Sequence, residues 1–439
     1  MINNRRKFLK KSSLLAMGTG ASLLFPIDLL ASVRKYVSPN DRIGVGLIGC
    51  KGMGFSDLTS MLKMSEIEVV ALCDVDDKVL SDRTADLEKA GVNKPKWYKD
   101  YRKLLDDKDI DVVIIGTPDH WHCLQLAHAV QAGKDVYCEK PLANSIEECN
   151  LMFSLVQNSD RMVQIGQWQR SQPHFVDAIN FVHSGKLGEI RLAKAWAYQG
   201  WMGSIPVLPD TAAPAGVDYD MWLGPAPKRP FNANRFHFNF RWYWDYAGGL
   251  MTDWGVHLMD YALYGMRANT PKSVMALGGK FAYPDDASET PDTLQTVYEY
   301  DGFSILWEHA TGIDNGNYGR NHGIAFIGNN GTLVLDRKGW EVIAEKNKMK
   351  RIPLQKNQGS GLDKHTVNFI EAVKSRDASS LKAPLKVGYD AAMVCHMGNI
   401  AFKTGNRINW DNYSGQFSDE ASNALINAPY HNGWELPKI

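Results

Sequence analysis

The feature that most constrains the fold is an alternation of short apolar runs and helical stretches between Arg42 and Gln167. The runs are rich in β-branched residues, which is typical of strands buried on both faces of a parallel sheet. The predicted strands are Ile43–Gly49, Glu68–Asp74, Asp111–Pro118, Asp135–Lys140 and Met162–Gln167. Predicted helices include His120–Ala132, closed by Gly133, and one opened by the capping box Ser145-Ile-Glu-Glu148. This order predicts an α/β fold with a doubly wound parallel sheet.

A different pattern begins after Gly188. Residues 190–199 predict a strand, residues 200–240 are irregular and rich in aromatic side chains, and residues 272–346 form successive strand-like runs separated by Gly, Asn and Asp. These runs predict a large, open, mainly antiparallel sheet with one wet face. Two late helices are expected over Asp363–Ser375 and Tyr389–Thr404, and they can pack back on the first domain. A chain of 439 residues is long enough for two domains.

The composition excludes several classes of protein. Lys+Arg and Asp+Glu both number 49, so the chain lacks the basic excess with which nucleic-acid binders neutralise phosphates. Six cysteines are too few for a disulfide scaffold, and Cys50, Cys73, Cys123 and Cys138 lie in or beside apolar runs, where buried thiols are expected. We therefore expect a folded protein without a nucleic-acid partner.

The first predicted strand runs directly into the loop Gly49-Cys50-Lys51-Gly52-Met53-Gly54, which opens a helix. A dinucleotide-binding fingerprint has glycines at the first, third and sixth places of this loop, and here the third is Lys51 with Gly52 beside it. Asp74 ends the next strand, 20 residues beyond Gly54. Its carboxylate can accept hydrogen bonds from both ribose hydroxyls of NAD and would repel the 2′-phosphate of NADP. We therefore predict a Rossmann domain over residues 40–165 that binds NAD through Gly49, Lys51, Gly52, Met53, Gly54 and Asp74; the Lys51 ammonium keeps NADP open as the second choice.

Residues 1–31 have the pattern of an export signal. Arg5-Arg6 and Phe8-Leu9-Lys10 precede a moderately apolar stretch that ends at Ala31. A basic start, an apolar middle and a small-residue end are typical of such signals, and paired arginines indicate the twin-arginine route. Glycines, a proline and an aspartate interrupt the stretch, so no stable membrane span is expected. We expect an exported, periplasmic protein that carries a tightly bound cofactor, because this route transports proteins already folded.

Three further motifs follow in order: Thr117-Pro118-Asp119-His120-Trp121-His122, Glu139-Lys140-Pro141-Leu142-Ala143 and Gly248-Gly-Leu-Met-Thr-Asp-Trp-Gly-Val-His257. With Asp220–Pro225 and Trp410-Asp411, they make the chain resemble the Gfo/Idh/MocA family, named for glucose–fructose oxidoreductase, inositol dehydrogenase and a rhizopine-catabolism protein. The resemblance covers essentially the whole chain after the signal. It implies a Rossmann domain and a second α/β domain, over residues 166–439, whose open sheet faces the substrate and often builds a dimer or tetramer.

The resemblance also implies roles for residues. It transfers the lysine of the family's Glu-Lys-Pro motif to Lys140 and its Asp-x-x-x-His pair to Asp253 and His257, as catalytic residues. The cofactor contacts that it adds are Thr117, Pro118, His120, His122, Glu139 and Lys140.

These residue types fit the oxidation of a sugar hydroxyl, in which a proton leaves oxygen while a hydride leaves carbon. A neutral histidine can accept that proton, and a lysine ammonium beside the same oxygen stabilises the forming alkoxide. Asp253 and His257 are four residues apart, which predicts that they share one helix face. The carboxylate can then orient the imidazole or bind a neighbouring hydroxyl, and Asp260 is expected on the same face.

A sugar substrate is also indicated by the aromatic residues. Seven of the 13 tryptophans fall between Trp168 and Trp254, and aromatic faces stack on the C–H faces of pyranose rings. The expected substrate contacts are Trp168, Arg170, Arg241, Tyr243, Asp253 and His257. The motif His120-x-His122 has no third ligand at suitable spacing, and no CxxC pair occurs, so we expect no metal.

Three functions remain open at this stage. The leading one is an NAD-dependent oxidoreductase acting on a sugar or glycoside hydroxyl. The second is an NAD-dependent glycoside hydrolase, which oxidises a sugar carbon transiently, eliminates the aglycone, adds water and returns the hydride with no net redox change. The third is a non-catalytic sugar-binding protein of the same fold, which the presence of Lys140, Asp253 and His257 disfavours.

Overall fold

The computed structural model describes residues 42–427 and 429–438, so the predicted export signal lies outside the described residues. The amino-terminal layer is a six-stranded parallel sheet with strand order β3-β2-β1-β4-β5-β6. Its strands are β1 Ile43–Ile48, β2 Ile67–Cys73, β3 Lys96–Tyr98, β4 Val112–Ile115, β5 Asp135–Cys138 and β6 Val163–Ile165, and the helices between them are α1 Met53–Met61, α2 Asp77–Lys89, α3 Tyr101–Leu105, α4 His122–Gln131 and α5 Ile146–Gln157. This confirms the predicted doubly wound sheet. Its strand order reverses between β1 and β4, which is where such sheets bind ligands.

The second layer is a ten-stranded sheet with strand order β14-β13-β12-β11-β7-β10-β9-β8-β15-β16. Its strands are β7 Ile190–Gln199, β8 Ser273–Gly279, β9 Thr293–Glu299, β10 Ser304–Thr311, β11 His322–Gly328, β12 Gly331–Asp336, β13 Gly339–Ala344, β14 Ile352–Lys356, β15 Ile408–Asp411 and β16 Gln416–Phe417. The remaining helices are α6 Pro173–His183, α7 Tyr219–Leu223, α8 Gly249–Asp253, α9 Gly255–Met266, α10 Gly361–Ser375, α11 Leu385–Thr404 and α12 Glu420–Asn423. Only β7 and β10 pair in parallel, so the prediction of a mainly antiparallel sheet is confirmed.

The late helices connect the two layers. Helix α10 packs on α1, where Ser60 Oγ and Lys63 Nζ donate to the Asp363 carboxylate at 2.8 and 2.6 Å. Helix α11 packs against both α5 and α9, and most of its length is buried. These contacts fix the position of one sheet relative to the other.

Several sequence predictions differ from the structure in detail. The strands before the crevice end earlier than predicted, at Ile115 and Cys138, so Thr117, Pro118 and Lys140 lie in loops beyond the hydrogen-bonded ladder. Strand β3 was not predicted, because three residues, two of them exposed, carry no periodicity.

Local capping and burial also differ from the predictions. The Ser145 hydroxyl accepts the Glu148 N–H at 3.1 Å, but the Glu148 carboxylate accepts the N–H of Asn144, at 2.8 Å, instead of that of Ser145. The exposed face of the second sheet is less polar than expected, since Met275, Leu277 and Val297 are 55%, 75% and 45% exposed. Within the described part of the chain, we find no helix with the length and apolarity needed to cross a membrane.

Candidate active site

The glycines of the loop Gly49–Gly54 serve two purposes: close packing of strand and helix, and an open helix N-terminus. Gly49 lies at φ +83°, and a Cβ there would come within 2.7 Å of the Gly116 carbonyl carbon and oxygen; at Gly54 a Cβ would meet the Gly49 carbonyl oxygen at 2.5 Å. These two glycines therefore allow strand and helix to pack closely. Gly52, at φ +59°, faces open space at the N-cap of α1, and no side chain caps that helix end. Uncapped N–H groups at a helix start bind phosphate, so the loop fits the pyrophosphate of a dinucleotide.

Asp74 lies beside this loop, just after β2. Its carboxylate accepts the backbone N–H groups of Cys50 at 2.8 Å and Asp76 at 3.1 Å. Burial raises its pKa to about 6, so it is mostly ionised at neutral pH. A carboxylate offers about four acceptor positions, so two remain for ribose hydroxyls. The position and the free acceptors of Asp74 fit the ribose that the sequence predicts there.

A segment of the second domain, residues 200–243, lies across the turn that follows β2. The Asp77 N–H donates to the Gly216 carbonyl at 3.1 Å, and the Asp218 N–H donates to the Val75 carbonyl at 2.9 Å. The His237 imidazole lies 3.0 Å from the Asp76 carboxylate, with its backbone in the left-handed region at φ +55°. The second domain therefore covers the end of the crevice where Asp74 lies.

Lys140, Asp253 and Arg241 form the charged centre of the crevice. The Lys140 ammonium donates to the Asp253 carboxylate at 2.9 Å and to its carbonyl at 3.0 Å, and Arg241 Nε donates to the same carboxylate oxygen at 3.1 Å. Although burial opposes ionisation, Lys140 and Arg241 hold the pKa of Asp253 well below its usual range. The structure thus brings a lysine of the Rossmann domain onto a carboxylate of the second domain.

His257 lies in the same crevice, at the start of α9. Its ring is 6% exposed, and its buried Nδ1 has no hydrogen-bond partner in the described structure. Burial, together with the cations Lys140 and Arg337, lowers its pKa well below 6.5, so the imidazole is neutral. The helix is interrupted at Trp254, between α8 and α9, and the Asp253 carboxylate binds Lys140 and Arg241. Asp253 therefore positions the lysine, whereas we expected it to orient the imidazole or to bind a hydroxyl.

Two indole rings and an arginine complete the wall beside His257. The rings of Trp168 and Trp254 lie 6.4 and 6.5 Å from the imidazole, centroid to centroid. The Arg337 guanidinium carbon lies 5.1 Å from the Trp168 ring centroid and 4.7 Å from that of Trp254. His322 packs on Trp254 with ring centroids 4.9 Å apart. Arg337 and His322 were not predicted as site residues, because they lie far along the chain among successive strands and belong to no local motif.

Two residues that we expected to contact the substrate, Arg170 and Tyr243, are engaged in contacts within the protein. Arg170 Nε and Nη2 donate to both oxygens of the buried Asp260 carboxylate, at 2.5 to 3.1 Å, and the guanidinium stacks on Tyr264. Tyr243 is 3% exposed inside an aromatic cluster, and its hydroxyl has no hydrogen-bond partner in the described structure. Of the predicted substrate residues, the structure therefore gathers Trp168, Arg241, Asp253 and His257 and leaves Arg170 and Tyr243 outside the group.

The two histidines of the loop after β4 are also held by backbone carbonyls. His120 Nε2 lies 3.1 Å from the Trp222 carbonyl oxygen, while the two ring nitrogens of His122 lie 2.7 and 2.9 Å from the carbonyls of Pro141 and Thr117. Burial lowers the pKa of both to about 4. Both imidazoles therefore pack the loop against its surroundings.

Buried carboxyl groups surround Lys140. Glu139 is 5% exposed and Asp57 is completely buried; both Asp57 carboxyl oxygens and Glu139 Oε1 lack a hydrogen-bond partner, and neither carboxyl forms an ion pair with a described residue. Burial raises the pKa of Glu139 to about 7, that of Asp119 to about 8, and that of Asp57 well above its usual range. Asp119 is therefore mostly protonated at neutral pH and Glu139 is partly protonated, whereas Asp253 beside Lys140 is ionised.

Two family models match the chain. The one described as "Oxidoreductase family, NAD-binding Rossmann fold" matches residues 43–167, and the one described as "Oxidoreductase family, C-terminal alpha/beta domain" matches residues 180–436. The first match agrees with the glycine loop and Asp74, and NAD is the cofactor of this domain.

Curated relatives align over part of their length. The chain is 30% identical over 205 residues to a "Glycosyl hydrolase family 109 protein" of Shewanella pealeana, covering 43% of this chain and 44% of that protein. It is 37% identical over 150 residues to an "Inositol 2-dehydrogenase" of Salmonella typhimurium, covering 34% of this chain and 42% of that protein. The chain thus spans less than half the length of each of these two relatives.

Solved structures share the fold. Levoglucosan dehydrogenase in complex with NADH and levoglucosan superposes with a TM-score of 0.63 at 19% identity, covering 84% of this chain and 99% of that one. An aldose–aldose oxidoreductase from Caulobacter crescentus superposes with a TM-score of 0.61 at 19% identity, with the same coverage. At this identity the likeness establishes the arrangement of the two domains.

Proposed function

The chain belongs to the Gfo/Idh/MocA oxidoreductase family, and from this premise we propose that it oxidises a hydroxyl-bearing carbon of a sugar or glycoside with NAD. The observation that carries the proposal is the meeting of Lys140, Asp253 and the unpartnered imidazole of His257 beside the Rossmann crevice. NAD, when bound, accepts a hydride from the substrate carbon. The chain supplies the groups that hold the substrate and accept its proton.

In this mechanism His257 is the general base. A neutral imidazole without a hydrogen-bond partner is free to accept the hydroxyl proton. The Lys140 ammonium, held at 2.9 Å by Asp253, is fixed in position to stabilise the negative charge that develops on the same oxygen. Trp168 offers a ring face for the sugar, and Arg241, which donates to Asp253, keeps the lysine and carboxylate in place.

Cofactor binding falls to the loop Gly49–Gly54, to Asp74 and to the backbone of Thr117 and Pro118. The N–H groups that open α1 would hold the pyrophosphate, and Asp74 would accept from the adenosine ribose. Because Asp74 is ionised at neutral pH and lies where a 2′-phosphate would be placed, NAD is favoured over NADP.

The experiment that tests the oxidation is a spectroscopic assay of the loaded protein. Purified enzyme mixed with candidate sugars should develop the absorbance of NADH at 340 nm, and His257→Ala should abolish it while NAD remains bound. A His257→Ala enzyme that reduces NAD at the wild-type rate would remove His257 from the mechanism.

A second candidate function is NAD-dependent glycoside hydrolysis, which the similarity to glycosyl hydrolase family 109 proteins favours. Oxidation beside a glycosidic carbon acidifies an adjacent C–H, so the same base and lysine could serve elimination and water addition. A chromogenic glycoside separates the two. Release of the chromophore without added NAD and without net NADH indicates hydrolysis, whereas a keto-sugar product indicates dehydrogenation.

We further propose that the cofactor stays bound through turnover. Residues 200–243 cover the end of the crevice at Asp74 through backbone hydrogen bonds to Val75 and Asp77 and through the His237–Asp76 contact. A protein that acts outside the cytoplasm needs such retention, because no NAD pool is available there. His237→Ala should accelerate cofactor release, measured as the decay of bound-NADH fluorescence after dilution, whereas Phe238→Ala, next to it on the exposed surface, should not.

Export and assembly complete the proposal. The twin-arginine pattern of residues 1–31 supports transport to the periplasm, and Arg5→Lys with Arg6→Lys should stop it in a fractionation assay. The exposed apolar side chains Met275, Leu277 and Val297 on β8 and β9 support a homo-oligomer that covers them. Leu277→Lys should then reduce the mass measured by light scattering.

A further inference from the structure

Arg337 is a cation that forms no ion pair within the described part of the chain. It follows β12, and no hydrogen bond or ion pair joins its guanidinium to another described residue; its Nε is fully buried. The neighbouring carboxylate that could have neutralised it, Asp336, accepts instead from Arg320 at 2.9 Å. The rest of the side chain is partly exposed, so a ligand in the crevice can reach this cation and pair with it.

The position of the guanidinium defines what that ligand can touch. Two indole rings, those of Trp168 and Trp254, lie against Arg337, at 5.1 and 4.7 Å from its central carbon. The same two rings lie against His257, the proposed base. A molecule that stacks on either ring while presenting a hydroxyl to His257 therefore also lies within reach of Arg337.

The charges around the crevice favour an anion there. Asp253 is the ionised carboxylate of the site, and it is shared by Lys140 and Arg241. The neighbouring Asp119 has a pKa raised by burial to about 8 and so stays protonated at neutral pH. Asp253 therefore pairs with Lys140 and Arg241, whereas Arg337 feels its charge but forms no ion pair with it.

We propose that the substrate is an acidic sugar and that Arg337 binds its oxyanion, a carboxylate or a sulfate ester. This inference rests on the proposed function, because it places the sugar between Trp168 and His257. A guanidinium stacked on rings keeps its in-plane N–H donors free, and these match the two oxygens of a carboxylate. A neutral sugar would leave the cation without an ion pair.

His322 supports the same orientation of the sugar. Its Nδ1 lies 2.8 Å from the Asn321 side-chain oxygen, which makes that nitrogen the donor and leaves the buried Nε2 as an acceptor without a partner in the described structure. Burial, and then Arg337, lower its pKa to about 3, so the ring is neutral. A sugar hydroxyl beside the oxyanion can donate to this nitrogen while Arg337 holds the charge.

Paired probes that differ only in the charged group test the proposal. The pairs are the 4-nitrophenyl glucuronides and glucosides, the corresponding galacturonides and galactosides, and glucose 6-sulfate against glucose. Binding is measured by calorimetry on NADH-loaded enzyme, and oxidation is measured separately by the 340 nm absorbance of NAD-loaded enzyme. We expect the acidic member of at least one pair to bind about 10- to 100-fold more tightly than its neutral partner. The tighter of the carboxylate and sulfate probes identifies the oxyanion.

Variants of the arginine make the test specific. Arg337→Gln should remove the preference for the acidic member, and Arg337→Lys, which keeps the charge without the planar fork, should retain part of it. Lys338 is the exposed residue next to Arg337 in the chain. Lys338→Gln also removes one positive charge, and it should leave the ratio of acidic to neutral probe affinity at its wild-type value. Bound NADH and the thermal unfolding midpoint of each variant show that it is folded.

The outcomes separate the inference from the function on which it rests. Equal or weaker binding of the acidic members, a preference that survives Arg337→Gln, or no binding of any probe would overturn the inference. Oxidation of neutral sugars without a preference would sustain the proposed function and reject the acidic substrate. An Arg337-dependent preference with no NADH formed from any bound probe would reject the oxidation and sustain the oxyanion site.

Discussion

The two walls of the crevice are encoded in different ways. The cofactor wall comes from one short stretch, in which strand, glycine loop and helix follow each other directly and Asp74 ends the next strand. The substrate wall is assembled from Trp168, Arg241, the Asp253–His257 turn, His322 and Arg337, which lie on separate segments spread over more than a third of the chain. A contiguous motif can be identified from local spacing, whereas a wall built from distant segments depends on tertiary packing.

The difference has a chemical side as well. The cofactor wall offers backbone N–H groups and a carboxylate that already holds two of them, so it is rigid and nearly complete. In the substrate wall, three buried nitrogens lack a hydrogen-bond partner among the described residues: His257 Nδ1, His322 Nε2 and Arg337 Nε. Unpartnered buried groups are unfavourable for stability and are kept where a ligand completes them. The substrate wall is therefore where substitutions should alter chemistry most and cofactor binding least.

The largest expected effect follows from removing the base or the lysine. His257→Ala should lower kcat by about 10²- to 10⁴-fold and Lys140→Met by about 10²- to 10³-fold, because one accepts the proton and the other stabilises the charge it leaves behind. Both should retain NAD, measured in the supernatant of denatured protein. The double variant should lose less than the product of the single losses, since both residues act on one oxygen. Multiplicative losses would mean that they serve different steps.

A pair of glycine variants tests the division of labour in the cofactor wall. Gly52→Ala adds a methyl group to open space at the start of α1 but places an L residue at φ +59°, so we expect a loss of about 1 kcal/mol in unfolding free energy and a fall in NAD affinity of about 10- to 100-fold, measured by titration of the emptied protein. Gly49→Ala would bring a Cβ to 2.7 Å from the Gly116 carbonyl, so we expect a loss of about 1–3 kcal/mol in unfolding free energy. The reverse assignment of the two losses would contradict our account of the loop.

Much of the first domain could be predicted from the sequence, because its strands are uniformly apolar and its glycines stand at fixed spacing. The family matches and the strand order confirm the Rossmann sheet and the antiparallel second sheet. The spacing predicts Asp253 and His257 on one helix face, with the carboxylate able to orient the imidazole. In the structure the helix is interrupted at Trp254, and the Asp253 carboxylate binds Lys140 and Arg241. A spacing of four residues gives neighbours along a helix; it does not show that a lysine from another domain will bind the carboxylate first.

The same limit explains Arg170 and Arg337. Arg170 stands among aromatic residues in the sequence and was expected at the substrate, yet its guanidinium binds the buried Asp260. Arg337 follows β12 in a turn without any motif, yet its guanidinium forms no ion pair with a described residue and lies against the two indoles of the site. Whether a charged side chain forms an ion pair inside the fold or can bind a ligand depends on residues that are distant in sequence.

A smaller effect is expected at Asp74. Asp74→Ala removes the acceptor for the ribose hydroxyls and the negative charge that opposes a 2′-phosphate. We expect the ratio of NAD to NADP affinity to fall by about tenfold. Asp77→Ala, an exposed carboxylate three residues further on, is the matched control and should leave the ratio unchanged. An unchanged ratio in Asp74→Ala would show that another group selects the cofactor.

The smallest effect concerns pH and joins the two walls through charge. His257 works as a base only while neutral, and burial with the cations Lys140 and Arg337 lowers its pKa well below 6.5. Protonation therefore begins below pH 6.5, so kcat/KM should hold its plateau as the pH falls through 6.5 and decline only in more acidic buffer. Asp253, which faces the ring from α8, raises the pKa of His257, and His322 lowers it further when protonated.

Removing one cation should raise the pKa of His257. In Arg337→Gln the acid limb of kcat/KM should therefore move to higher pH; it is measured with a neutral glycoside so that substrate charge plays no part. In Lys338→Gln, which removes an exposed cation next to it in the chain, the limb should stay in place. An acid limb above pH 6.5 in the wild type would mean that a group other than a buried, cation-flanked imidazole accepts the proton, and Asp119, with a pKa raised by burial to about 8, would be the first carboxyl to examine.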